Sequence, residues 1–304
     1  MSAVSDYTYM PVPTAPAAEP TPTPPPLHDS VEYVIRGVRL RADELVHKPY
    51  FTPEGREKLH QQLLAGKPCP HLVLKDIFNP RLLELVLEEF DTHPTGAWAD
   101  IKSRYESHRR SIYGNAMGPA TQLYFDIVGS GWFIDWVGAV VGVPYLLPDP
   151  KLWGGGLHES RTGSSFAVHL DFNRHPVLGL KNELVFITYL NKGWDPEWGS
   201  ALELWEKNPD RCVTTVQPEF GHTIFLPHGP TSYHGYTKPL AAKDGRPRRS
   251  VAAYYYTSPL AGPQHGVEAG TVFMHRQGAD KLKTIARMVT PPVLWTLARK
   301  TMSR

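Results

Sequence analysis

The stretch "FAVHLDFNRHP" (Phe166 to Pro176) sets a histidine and an aspartate two residues apart inside an apolar, β-prone run. In a strand, residues i and i+2 project to the same face, so His169 and Asp171 point together while Leu170 turns away. A hydrophobic core would reject this pair, and a solvated face would hardly need its aromatic neighbours. The pair is therefore predicted to face other polar side chains that the fold brings to it.

Short strand-like runs separated by turn signals fill the chain from about Lys151 to Ser258. They are "LWGGGLHES", "SFAVHLDFN", "LVFITYLN", "SALELWE", "CVTTVQP", "HTIFLPH", "SYHGYT" and "RRSVAAYYYTS". Many short strands without intervening helices indicate an all-β barrel or sandwich rather than a β-α-β sheet.

Helical patterns precede these strands. In "PHLVLKDIFNPRLLELVLEEF" a strand is followed by a helix, for which Asn79 is a suitable N-cap and Pro80 the first helical residue. "TQLYFDIVGSGWFIDWVGAVVGV" (Thr121 to Val143) predicts a second helical region, interrupted around Gly129 and Gly131. The predicted fold is mainly β with flanking helices.

The chain divides into three predicted parts. Residues 1–30 contain "PVPTAPAAEPTPTPPP", which cannot pack a core and predicts a disordered, proline-rich leader. Residues 31–262 form a single domain whose β core begins at about residue 150. Residues 263–304 form a basic helical tail, expected to pack on its own domain, with a lipid surface or a partner as alternatives.

Composition excludes several classes. The 304 residues carry a net charge of +2 and no broad basic stripe, which argues against a nucleic-acid partner. No apolar run is long enough to span a membrane, and the N-terminus lacks a signal-peptide pattern. Cys69 and Cys212 are too few for a disulfide framework or thiolate cluster. These features predict a cytoplasmic protein, and they leave its oligomeric state open.

A third ligand for a metal follows in "GPTSYHGYTKP", where His234 lies three or four predicted strands after His169 and Asp171. Two imidazoles and one carboxylate on one face of an octahedron leave three positions open, which is typical of non-haem iron(II) oxygenases. Four other histidines compete for the role, and two of them, His222 and His228, are expected to form ordinary hydrogen bonds; the four are His158, His175, His222 and His228.

"GRPRRSVAAYYYTS" places arginines at the start of an apolar strand, where a guanidinium is unusual unless it meets an anion. Strand parity puts Arg248 and Ser250 on one face and Arg249 on the other. A cation and a hydroxyl on one face suit a single carboxylate, so Arg248 is favoured as a carboxylate-binding residue, with Arg249 as the alternative.

In this order, "HLD", "SYHGY" and "RRSV" on a β-rich C-terminal half resemble the iron(II)- and 2-oxoglutarate-dependent dioxygenases. The texture of "ITYLNKGWDPEWGSALELW" and "YYYTSP" is similar to their prolyl-hydroxylase-like branch, over roughly Pro70 to Pro259. The resemblance implies a double-stranded β-helix (jelly-roll, cupin-like) core. It also implies Fe(II) held by His169, Asp171 and His234.

The same resemblance implies the co-substrates and the reaction. Arg248, with Ser250, would bind the distal carboxylate of 2-oxoglutarate, whose keto-acid end would chelate the iron. Dioxygen would be consumed to give succinate, carbon dioxide and a hydroxylated product, with ascorbate stimulating turnover. Halogenating members replace the carboxylate ligand by a small residue, so the presence of Asp171 favours hydroxylation or desaturation.

The substrate is expected to be a small molecule, with a peptidyl side chain as the alternative. Arg161, Arg174 and His175 flank the first ligand strand and are candidate substrate contacts. A jelly roll that binds a small molecule without oxidising it would not need Arg248. A zinc hydrolase would need a general base near the metal, and the sequence has no HExxH-like helix to supply one.

Overall fold

The computed structural model describes residues 31–101, 103–114, 117–207, 210–258 and 270–274. The predicted leader at residues 1–30 lies outside the described residues, as does the helical tail from residue 275 onward. The helices are α1 (Pro53–Ala65), α2 (Pro80–Glu89), α3 (Pro119–Val128) and α4 (Gly131–Val141). Short 3-10 helices lie at Ala42–Glu44, Lys48–Phe51, Thr95–Ala97 and Pro196–Trp198.

The strands form a small N-terminal hairpin and one large sheet. They are β1 (Glu32–Ile35), β2 (Val38–Arg41), β3 (Leu72–Leu74), β4 (Ala99–Ile101), β5 (Glu106–Ile112), β6 (Leu147–Pro148), β7 (Gly156–Leu170), β8 (Lys181–Tyr189), β9 (Leu202–Glu206), β10 (Arg211–Val216), β11 (Thr223–Pro227), β12 (Tyr233–Tyr236), β13 (Arg248–Thr257) and β14 (Val272–Phe273).

Helices α2, α3 and α4 lie in the two regions where the sequence predicts helices. The Asn79 side chain accepts a hydrogen bond from the backbone N–H of Arg81 at 2.8 Å, which caps α2 with Pro80 at its first position. The predicted interruption at Gly129 and Gly131 separates α3 from α4. Helix α1 was not predicted from the sequence, because its apolar stripe is weak and only Leu59 and Leu63 are buried.

The large sheet curls into a barrel because its long strands change partners. Its order is β10-β9-β12-β7-β13-β8-β11-β3, with antiparallel pairing throughout. The first part of β7 pairs with β13, and its last part pairs with β12. This nearly closed antiparallel core with helices on one side confirms the predicted double-stranded β-helix fold.

Alternation along β8 and β13 sorts the side chains between two environments. Phe186 on β8 and Tyr255 on β13 face the helices, where Phe186 packs edge-on against Phe133 of α4 with ring centres 5.7 Å apart. Val185 and Tyr254 belong to a second cluster on the other face. The helices therefore cover the outside of the barrel and leave its inside for polar side chains from the same strands.

The last described strand moves a predicted boundary. Val272 and Phe273 of β14 pair with Leu170 and His169 of β7, so the β domain extends past the predicted end at residue 262. The residues "TVF" gave no strand signal of their own, and β7 supplies the pairing. Among the described residues, no helix is long and apolar enough to cross a membrane.

Candidate metal centre and active site

Strand pairing brings the three predicted metal ligands together. His234 on β12 lies directly opposite His169 on β7, and the centres of the two imidazole rings are 4.4 Å apart. Asp171 follows the end of β7 on the same face as His169. One ligating atom from each of the three lies within 4.8 Å of the others, and all three residues are buried.

Backbone hydrogen bonds orient both imidazoles. The Nδ1 atom of His169 lies 2.8 Å from the carbonyl oxygen of Ala167, and that of His234 lies 2.9 Å from the carbonyl oxygen of Ser232. Since a carbonyl oxygen can only accept, each Nδ1 carries the proton and each Nε2 carries a lone pair. These Nε2 atoms lie 3.1 Å (His169) and 3.7 Å (His234) from Oδ1 of Asp171.

Nε2 of His169, Nε2 of His234 and Oδ1 of Asp171 thus all offer electron pairs. A divalent cation can bind all three of these atoms at once. Neutral imidazole nitrogens with one carboxylate match the ligands of a non-haem iron(II) site. The residues present therefore fit the metal that the sequence predicts.

The electrostatics hold the ligands in the forms that bind metal. Burial alone would raise the pKa of Asp171, but the adjacent imidazoles of His234 and His169 hold it well below its usual range. Burial lowers the pKa of His234 to about 4, against the opposing effect of Asp171. At neutral pH the carboxylate is therefore charged and the imidazole neutral, as a metal ligand requires.

Two residues behind Asp171 were not predicted to have this place. The Tyr254 hydroxyl donates a hydrogen bond to Oδ2 of Asp171 at 3.3 Å, and burial raises the Tyr254 pKa. Nε2 of His228 lies 3.8 Å from the same oxygen, although the sequence predicted only ordinary hydrogen bonds for His228. His222 does lie apart, with Nδ1 3.3 Å from the carbonyl oxygen of Gln217.

Arg248 lies in the same cavity as the metal ligands, which has a volume of about 220 Å³. Arg248 is 6% exposed, and its guanidinium lies 4.9 and 4.8 Å from the ring centres of Tyr189 and Tyr236. It donates one long hydrogen bond to the Tyr189 hydroxyl, its Nε has no partner, and no carboxylate among the described residues pairs with it. A buried guanidinium in this state is a ready site for an anion.

Ser250 lies two residues further along β13 and lines the same cavity, as strand parity predicts. Arg249, the predicted alternative, does not line this cavity. The Arg249 side chain lies on the opposite face of β13, where it forms ion pairs with Glu159 (3.0 Å) and Asp91. The alternation of the strand is the physical reason.

The three predicted substrate contacts also lie outside the cavity. Arg161 is exposed and lies near Glu159, and Arg174 donates to the carbonyl oxygen of Gly179. His175 is buried, but its Nδ1 accepts from the backbone N–H of Leu178 and its Nε2 faces Asp149 at 3.1 Å. His175 therefore braces a turn. Arg174 and His175 follow Asp171 closely in sequence, but their side chains bond to the turn that leads to β8.

The cavity instead contains side chains that sequence reasoning missed. Glu106 and Arg109 come from β5, whose sequence "ESHRRSI" is too polar to be recognised as a barrel strand. His158 lines the cavity as well, and burial, together with the nearby Arg109 charge, lowers its pKa to about 3. Trp153 and Phe172 add an aromatic wall, with ring centres 4.9 Å apart.

Comparisons with known proteins agree with this site. Residues 155–256 match the model of the 2OG-Fe(II) oxygenase superfamily, in agreement with the resemblance found in the sequence. This stretch contains the three predicted ligands and Arg248. A comparison with curated protein sequences gave no match.

Several solved structures are similar in fold. A Pseudomonas putida prolyl-4-hydroxylase shares 15% identity over 66% of this chain and 98% of its own, with a TM-score of 0.47. HygX from Streptomyces hygroscopicus, solved with nickel, 2-oxoglutarate and hygromycin B, shares 16% identity over 70% of this chain and 96% of its own, with a TM-score of 0.47. A Trichoplax adhaerens prolyl hydroxylase, solved with a hypoxia inducible factor peptide, shares 12% identity over 67% of this chain and 91% of its own, with a TM-score of 0.48. At such distances none of them assigns a ligand to this chain.

Proposed function

We propose that the protein is a 2OG-Fe(II) oxygenase that hydroxylates an unactivated C–H bond of a small molecule, with residues 155–256, which match the family model, as its core. In this reaction one oxygen atom of O2 enters the product as the hydroxyl group and the other enters succinate, while 2-oxoglutarate loses carbon dioxide. One observation carries the proposal: the His169, Asp171 and His234 set and the unpaired guanidinium of Arg248 line the same cavity.

His169, Asp171 and His234 are the residues proposed to hold Fe(II). When bound, the iron supplies the activation of dioxygen that no side chain can provide. The protein fixes both imidazoles through Ala167 and Ser232 and holds the second oxygen of Asp171 through Tyr254. These contacts keep the three donor atoms on one side of the site, which leaves the other side free for ligands.

Arg248 is proposed to bind the distal carboxylate of 2-oxoglutarate, with Ser250 and the Tyr189 hydroxyl as further donors. The guanidinium can form two parallel hydrogen bonds with a carboxylate. Apolar side chains line the same cavity and limit the access of water to this carboxylate; they include Val185, Ile187 and Leu202. Burial raises the pKa of Tyr189, so its hydroxyl remains a proton donor at neutral pH.

The test is succinate release by purified protein with Fe(II), ascorbate, 2-oxoglutarate and a panel of metabolites. Iron should support turnover and zinc should not. His234→Ala should lower iron affinity by about tenfold or more, because one of three ligands is lost. His222→Ala is the matched control, since His222 lies outside the cluster. Full iron occupancy and undiminished turnover in His234→Ala would show that the distal ligand is wrong.

A further inference from the structure

Strand β5 places a carboxylate and a guanidinium in the cavity, although regular strand alternation would direct these two side chains to opposite faces. Glu106 and Arg109 are three residues apart, so a regular strand would point them to opposite faces. The register between β5 and β7 shifts between Ser107 and Arg109, and His108 in this bulge has a positive φ of 54°. Between these paired positions a single residue of β5, His108, faces four residues of β7, 161–164, and this irregularity breaks the alternation. Glu106 and Arg109 therefore both line the cavity.

Glu106 and Arg109 use only some of their hydrogen-bonding groups to bind each other. Nε of Arg109 donates to Oε1 of Glu106, and the described residues provide no other hydrogen bond to either side-chain charge. Neither side chain has a fully buried polar atom that lacks a partner. The Nη groups of Arg109 and Oε2 of Glu106 therefore remain accessible from the cavity.

The pair lies one aromatic ring away from the metal ligands. Phe166 is directly opposite Glu106 across the β5–β7 pairing, and the Arg109 guanidinium lies 5.8 Å from the centre of its ring. The same ring lies 3.9 Å from that of His169. If Glu106 and Arg109 bind one end of a ligand, atoms of that ligand a few bonds from the bound end would lie next to the metal site.

The two cavity arginines differ in charge balance. Arg248 has no carboxylate partner and suits the dianionic 2-oxoglutarate, whereas Arg109 is already neutralised by Glu106. An acid and a base side by side suit a ligand group that carries both charges. On the basis of the proposed function, we propose that Arg109 binds the carboxylate and Glu106 the ammonium group of a free amino acid, whose side chain is then the site of hydroxylation.

The test compares free amino acids with their carboxamides and their N-acetyl derivatives, by succinate release above the level without substrate. Arg109→Gln should raise KM for the amino acid about 10- to 100-fold, because charge-assisted hydrogen bonds are lost. It should also abolish the preference for the acid over the carboxamide. Glu106→Gln should abolish the preference for the free amine over the N-acetyl form. The KM for 2-oxoglutarate should stay unchanged in both variants.

A second readout avoids turnover. Calorimetry of the nickel-loaded protein with 2-oxoglutarate should show amino-acid binding that Arg109→Gln weakens by the same factor. Arg110→Gln is the matched control, because Arg110 is the next residue on β5 and pairs outside the cavity with Glu159 at 2.7 Å. It should lower thermal stability and leave both preferences intact.

The inference can fail while the proposed function stands. Succinate release without substrate, together with no stimulation by any free amino acid or with stimulation by peptides instead, would overturn it. A raised KM for 2-oxoglutarate in Arg109→Gln would overturn it too, since Arg109 would then bind the co-substrate. Loss of all succinate release in the unmodified protein, by contrast, would count against the proposed function itself.

Discussion

Replacing Arg248 by methionine should stabilise the folded protein and at the same time remove its affinity for 2-oxoglutarate. Arg248 is 6% exposed, and its guanidinium contacts two tyrosine rings but forms no ion pair with a carboxylate of the described residues. A buried charge without an opposite charge is costly, and cation–π contacts return only part of its hydration energy. Methionine has a similar length and no charge. Without metal and 2-oxoglutarate, we expect the free energy of unfolding to rise by about 1–3 kcal/mol.

Binding should change in the opposite direction. Two charge-assisted hydrogen bonds between Arg248 and the distal carboxylate contribute about 1.5–3 kcal/mol each. Their loss should raise the Kd for 2-oxoglutarate by roughly two to four orders of magnitude. Calorimetry of the nickel-loaded protein measures this Kd without turnover, and urea unfolding of the metal-free protein measures the stability.

Arg249→Met is the matched control for this prediction. Arg249 is paired with Glu159 and Asp91, and its loss leaves the buried Glu159 with fewer partners. We therefore expect Arg249→Met to lower the free energy of unfolding by about 1–3 kcal/mol and to leave the affinity for 2-oxoglutarate within about twofold. If Arg248→Met kept that affinity within about threefold, the assignment of the anion site would be wrong.

Three further predictions concern the surroundings of the site. Tyr254→Phe should lower the affinity for Fe(II) about tenfold in a metal-binding titration, because Asp171 loses the hydrogen-bond donor to its Oδ2. Tyr256→Phe is the control, because it removes a buried hydroxyl that has no partner, and it should leave the affinity for Fe(II) unchanged. Glu89→Ala should lower the urea midpoint by the equivalent of about 3 kcal/mol, since the buried carboxylate accepts from the N–H groups of Ala120 and Thr121 at the start of α3, while Glu88→Ala on the exposed side should have little effect; equal midpoints would refute this. Burial lowers the pKa of His158 from 6.5 to about 3. Between these pH values the unfolded chain binds a proton at His158 that the folded chain does not bind. The free energy of unfolding therefore decreases as the pH falls from 6.5 to 3, by up to about 1.4 kcal/mol per pH unit. His158→Gln should therefore be less destabilised by acid, and parallel curves of stability against pH for the two proteins would contradict this.

Strand periodicity predicted the part of the site that depends on local geometry. The spacing of His169 and Asp171 and the opposite faces of Arg248 and Arg249 follow from alternation within one strand, and the structure shows the same arrangement. His234 could be chosen because its turn leads into a strand, although its position opposite His169 is a tertiary fact. Local pattern was enough here because each side chain's direction is set by its own backbone.

The other half of the cavity depends on a strand that has no apolar pattern. β5 is held by its pairing with β7, and the break in register around His108 decides which of its side chains face inward. A periodicity argument for Glu106 and Arg109 would have separated them. The predicted substrate contacts Arg161, Arg174 and His175 show the opposite case: they are near the ligands in sequence, but the backbone directs their side chains to partners outside the cavity.

The two cavity arginines differ in that Arg109 has a carboxylate partner and Arg248 has none, and this difference is expected to decide which anion each of them binds. A dianion gains most where a positive charge is uncompensated, and among the cavity's described residues that is Arg248. At Arg109 the same dianion would also meet the carboxylate of Glu106, and like charges at such short range repel strongly in a buried site. A zwitterion meets no such repulsion there, because its ammonium faces the carboxylate. Under the two proposals, the ion pair on β5 would therefore keep 2-oxoglutarate out of the substrate position, and the two ligands could share one cavity without competing.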